Sequence, residues 1–174
     1  MHFTSSEHED TPVSEPTLSH VDHDGRIKMV DVADKAATRR VAEARCLLIS
    51  FVDPTTLATP TDGQNPITAA RLAGIFAAKN TANLIPLCHP LALHEVSVDI
   101  ERHPRGAEVL SRVVTVDRTG VEMEALTACS FAALSLVNSL LHLDAGAHVE
   151  DAVILSKSGG TSGDWGRSQP LAHE

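Results

Sequence analysis

Three short segments of this chain combine residue types that handle phosphate or protons. Residues 84–90 read Leu-Ile-Pro-Leu-Cys-His-Pro. Two prolines pin this loop and hold the His89 imidazole in one place, where it can donate to a phosphate or exchange a proton near neutral pH. The same loop also suits a plain linker with Cys88 and His89 partly buried. Residues 120–127, Gly-Val-Glu-Met-Glu-Ala-Leu-Thr, open a helix. A helix N-terminus offers unpaired N–H groups and the positive end of a dipole, and Glu122 and Glu124 can accept hydrogen bonds from a guanidine-like edge. Glu122 has a structural reading too, as the acid of a capping box begun by Thr119, and first-turn acids like Glu124 are common on any helix. Residues 157–163, Lys-Ser-Gly-Gly-Thr-Ser-Gly, let backbone N–H groups approach an anion closely, with Lys157 adding charge. This is not a P-loop, in which the lysine follows the glycines and opens a helix. Alone, such a run also serves as a flexible chain end.

The elements around these segments follow from pattern and punctuation. Residues 40–51 alternate in a way that suits strand or helix. The β-friendly end LLISFV running into Asp53-Pro54 favours a strand. Residues 53–66 carry three prolines and Asp62-Gly63, so a short helix at most and then a loop is expected. Residues 67–79 are Ala-rich with helical spacing. Residues 94–101 and 107–117 alternate apolar and polar types and are close enough to form a hairpin. Residues 121–143 predict a helix roughly 34 Å long, and residues 152–156 a last short strand. Strands in hairpins with helices in separate blocks imply an α+β sandwich, an antiparallel sheet packed by helices.

Length and composition narrow the function classes. The 174 residues suit one domain, with 43% apolar and only 3% aromatic residues, so aliphatic side chains must build the core. Few aromatic rings and a net charge of −9 argue against nucleic-acid partners, which need stacking platforms and a basic surface. A small anion is still accommodated by a few focused cations and amides. Cys46, Cys88 and Cys129 form no C-x-x-C pair. Neither a disulfide framework nor a structural zinc site fits, and a cytoplasmic location is expected. Cys46 and Cys129 read as small core fillers. The N-terminus lacks the apolar stretch of a signal peptide, and no apolar run long enough to span a membrane is read. Residues 1–18 are expected to be a disordered tail, 19–166 the single domain, and 167–174 a flexible end.

Singly these signals are weak; together they are specific. KMVDV followed by Lys35 and Arg40, TAARLAGI–AAK–T, LIPLCHPL, GVEMEALTA and KSGG–SGD occur in this order. The set closely resembles the cyclic pyranopterin monophosphate synthases of molybdenum cofactor biosynthesis, the MoaC family, from about Lys28 to Trp165. The resemblance implies a ferredoxin-like fold and a homo-hexamer, a trimer of dimers with the pocket at a subunit interface. It implies conversion of cyclised dihydro-GTP to cyclic pyranopterin monophosphate and pyrophosphate, without a resident metal, although magnesium can accompany the substrate triphosphate. It also implies that Arg40, Leu87, Cys88, His89, Glu122, Met123, Glu124 and Lys157 hold the substrate.

Three positions depart from the family pattern. Asn138 stands where the family has an acid, Leu141 where it has a lysine, and Gly63 where it has a loop lysine. Asn is nearly isosteric with Asp but takes up no proton at neutral pH, so these departures imply an eroded reaction centre. His142, four residues after Asn138, is a candidate substitute on the same helix face, or a solvated or interface histidine favoured by the helix dipole. Two functions remain open: a divergent synthase, or a non-catalytic paralogue that binds nucleotide or joins an active homologue in mixed oligomers.

Overall fold

The computed structural model describes residues 18–57, 65–161 and 163–168. The two expected tails lie largely outside these residues, and Gly63 lies wholly outside them. Two compact units divide the chain, Met1–Val30 and Asp31–Glu174. The first contains a small turn in which Val21 bridges Ile27. There Asp22 Oδ1 accepts the N–H groups of Asp24 and Arg26 at 3.0 and 2.8 Å, an Asx-type turn completed by Gly25 at φ 78°.

The second unit runs β1 (Thr38–Ile49), a single 3-10 turn (Pro54–Leu57), α1 (Pro66–Lys79), α2 (Thr81–Leu84), β2 (Leu93–His103), β3 (Gly106–Asp117), α3 (Glu122–Leu140), β4 (His148–Ser158) and β5 (Trp165–Gly166). The sheet order is β2-β3-β1-β4-β5, and every pairing is antiparallel. With α1 and α3 as the two crossover helices, the first four strands make the β-α-β-β-α-β arrangement of a ferredoxin-like α+β fold. The helix at 67–79 and the β2–β3 hairpin hold, and residues 40–51 form the expected strand except that β1 runs Thr38–Ile49 and leaves Ser50 and Phe51 outside it.

Alternation along β1 decides its orientation. Ala42, Ala44, Cys46 and Leu48 are fully buried beneath the helices, and Ala107, Val109 and Val113 of β3 join them. The core is built from Ala, Val, Leu, Ile and Cys, while Phe51, Phe76, Phe131 and Trp165 are all exposed. Small side chains let the helices approach closely. A Cβ on Gly74 of α1 would lie 2.7 Å from the Ala128 carbonyl oxygen of α3, so an alanine there forces the two helices apart. Both cysteines expected in the core are there; Cys46 Sγ donates to the Cys129 carbonyl at 3.3 Å.

Several local readings are corrected. The long helix spans Glu122–Leu140 and not 121–143, because residues 141–143 leave it in a turn. Asp144 stabilises that exit: it accepts from Ser50 Oγ at 2.8 Å, Phe51 N at 3.1 Å and Gly146 N at 2.9 Å, and these bonds, Ser50 foremost, hold its carboxyl below the usual range. The expected capping box does not form: Val121 is the N-cap residue, and no side-chain cap bond is made there among the described residues. A real cap opens α1, where Asn65 Oδ1 accepts from Ile67 N at 2.9 Å and Thr68 N at 3.2 Å ahead of Pro66. The last long strand covers His148–Ser158, wider than 152–156, and β5 has no counterpart in the sequence reading. Finally, α3 meets the length and composition of a membrane span, contrary to the sequence reading. Its apolarity is explained by packing, since Ala125, Ala128, Ala132, Leu136 and Leu140 are fully buried in this fold.

Candidate functional site

A cavity of about 200 Å³ opens where the start of β1, the end of β3, the first turn of α3 and the end of β4 converge. Four cations line it: Lys35, Arg40, Arg118 and Lys157, together with Glu122. Antiparallel pairing sets this convergence. Arg40 lies opposite Thr115 on β3, and Ala42, two residues on, lies opposite Lys157 on β4. Ser111 Oγ donates to the Ala125 carbonyl at 2.7 Å and fixes the first turn of α3 to β3.

Arg40 is the most carefully held of the cations. Its Nη2 donates to the Arg118 carbonyl at 3.1 Å, while its buried Nε has no hydrogen-bond partner among the described residues. A buried N–H left over in a cavity is a donor available to an incoming acceptor. Gly159 and Gly160, at φ 87° and 81°, make room for this arrangement. A Cβ on Gly159 would strike the Arg39 carbonyl, and one on Gly160 would strike the Arg40 guanidinium. The glycines therefore serve to seat Arg40. The Gly159 N–H is itself taken by Asp164 Oδ1 at 3.0 Å, so the expected cradle of free amides is at least partly spent.

Glu122 reaches Lys157, with Oε1 3.2 Å from Nζ. Glu124, two residues on, points elsewhere and is only 4% exposed. Burial raises its carboxyl to about 7; its own backbone N–H bond pulls the other way, and the charge on Glu122 adds to the rise. Burial, and then the nearby Glu124, push the Cys88 thiol up. The charge of Glu124 thus acts on Cys88 in the proline-bounded loop. That loop is anchored by Thr115 Oγ1 donating to the Ala92 carbonyl at 2.7 Å, and it places Leu87 at φ 70°. Leu87, Cys88 and His89 are half-buried, and Met123 is 38% exposed.

The structure thus brings Arg40, Glu122 and Lys157 into one cavity and buries Glu124 within reach of Cys88 for its charge to act there. Asn138 is not among them. It lies 16 positions beyond Glu122 on the same helix, about 24 Å along the axis, and is exposed. His142 lies in the turn past the end of α3, so helical spacing does not place it over Asn138 as expected. Arg118 is a lining residue that the sequence reading did not single out. Its position directly before the Thr119–Gly120 helix opening was the available signal.

Residues 29–160 match the family model described as the MoaC family. A protein of Streptomyces avermitilis named cyclic pyranopterin monophosphate synthase is 43% identical over 159 residues, which cover 90% of this chain and 94% of that protein. Proteins of the same name from Thermomicrobium roseum and a Nostoc species are each 46% identical, over 89% and 88% of this chain and 96% and 94% of their own lengths. The four cations and Glu122 of the basic cavity lie inside the family match, and the chain belongs to the MoaC family.

Proposed function

We propose that this chain binds cyclised dihydro-GTP in the basic cavity and is a cyclic pyranopterin monophosphate synthase of low turnover, releasing pyrophosphate. The observation that carries this reading is the gathering of Lys35, Arg40, Arg118 and Lys157 around one cavity in a chain of net charge −9. Four cations focused at a helix N-terminus suit a triphosphate. Glu124 and the loop at Leu87, Cys88 and His89 then face the pterin precursor, with Met123 beside it. The names of the relatives supply the product, cyclic pyranopterin monophosphate. Asn138 and Leu141 supply the expectation of low turnover, because general acid–base catalysis contributes roughly 10²–10⁴-fold and neither side chain carries a titratable proton.

The separation of about 24 Å along α3 also supports a site completed by another copy, within a hexamer. One protomer does not bring residue 138 to Lys157. The second reading, a non-catalytic paralogue that lends its basic cavity to an active homologue, is favoured by the same two residues. Incubating the pure protein with enzymatically made cyclised dihydro-GTP and measuring pyrophosphate distinguishes them. Slow but saturable release supports the synthase. No release, with restored release on adding an active homologue, supports the paralogue. Turnover equal to that of a homologue with the intact acid and lysines sinks the idea of an eroded centre.

A further inference from the structure

The cavity contains a carboxylate where its proposed ligand would bring negative charge. Among the described lining residues Glu122 is the sole acid, set against four cations, and it pairs with Lys157 at 3.2 Å. Its ordinary structural employment is missing, since it makes no capping bond with Thr119 and Val121 is the N-cap. Its carboxylate instead lies over Gly120. A Cβ on Gly120 would fall against the Glu122 carboxylate oxygens, so a larger residue there would displace the carboxylate. Both partners are partly exposed, at 36% for Lys157 and 31% for Glu122. A pair in that setting is screened and readily exchanged for a better partner.

We propose that Glu122 is a built-in competitor for Lys157 that weakens the cavity's hold on phosphate. This rests on the reading of the cavity as a phosphate site and deepens it. Four cations and a helix N-terminus would otherwise retain a pyrophosphate group after it has been cleaved. A carboxylate already seated beside Lys157 takes that cation back when pyrophosphate leaves. Glu122 is accordingly a positioning residue that sets release, and it touches no reacting atom.

The test is calorimetric titration of inorganic pyrophosphate into the full-length protein and its variants, each first checked for native circular dichroism. Glu122→Gln keeps the shape and removes the charge, and is expected to bind pyrophosphate about tenfold more tightly. A residue needed only for structure would give weaker binding. Gly120→Ala evicts the carboxylate without changing the charge of the chain and should shift affinity in the same direction. Lys157→Met weakens binding, and in that background Glu122→Gln should change affinity by no more than about twofold, because the two residues act as a pair.

Unchanged or weaker binding by Glu122→Gln overturns the proposal, as does a full gain that persists without Lys157. Absence of pyrophosphate binding by both the wild type and Glu122→Gln overturns it as well. If the substrate is turned over while these titrations fail, the competitor is wrong and the synthase stands. If the titrations succeed without any turnover, the competitor stands and the synthase reading falls.

Discussion

The two ends of α3 are made for different things. At its start, Glu122 meets Lys157 beside Arg40, and Glu124 is buried. At its other end, Asn138 and His142 are exposed, and Leu141 is 48% exposed with no charge to offer. The same rigid helix therefore carries an elaborated electrostatic site at one terminus and an unelaborated surface at the other. A binding shell depends on local geometry that packing also maintains, since the glycines that seat Arg40 and the buried first turn cannot drift without cost. Exposed residues on the far turn are under no such packing constraint. Asn138 and Leu141 fit the fold as well as an acid and a lysine would.

The strongest way to break this comparison is to rebuild the weak end. Asn138→Asp, Leu141→Lys and Gly63→Lys together should raise pyrophosphate release by roughly 10²–10⁴-fold. Continued inactivity would show that the binding end has diverged as well. Removing the strong end comes next. Arg40→Ala deletes a charged donor and should weaken substrate or pyrophosphate binding roughly ten- to hundredfold by calorimetry.

Glu124 sharpens the contrast through pH. Its carboxyl sits near 7 in the fold against an ordinary 4.5. An acid raised in this way favours folding fully below its unfolded value and loses that contribution as pH climbs through the folded value. Stability should fall between about pH 4.5 and 7 by on the order of 3 kcal/mol from this group. Glu124→Gln should flatten the profile in chemical denaturation, and an unchanged slope would show that the carboxyl is not sealed. The smallest effect is expected at the far end: His142→Ala should leave any residual turnover within about twofold, and a larger loss would revive it as a substitute acid.

Much of the fold was legible because the periodicities are clean. Val96, Val98 and Ile100 alternate along β2, and Ala-rich spacing marks α1. The end of α3 was not legible, since Leu141, His142 and Leu143 continue an apolar helical pattern. The exit is decided by Asp144, whose partners Ser50 and Phe51 are more than ninety residues away in sequence. The capping box failed for a related reason, because Glu122 is drawn to Lys157 on a strand that local spacing does not reveal. At the site, the Lys-Ser-Gly-Gly run was recognisable as phosphate-friendly. That its glycines make space for Arg40 required the register of β1 against β4.

The two-residue strand β5 has a practical consequence. Trp165 is the single tryptophan of a chain without tyrosine, and it is paired directly with Lys157. The Arg167 guanidinium stands 5.9 Å from its ring centroid. The ultraviolet emission of this protein therefore comes from one indole in backbone register with a cavity-lining lysine. Any anion that pulls Lys157 away from Glu122 acts beside a native fluorophore, and occupancy can be followed by light without attaching a label.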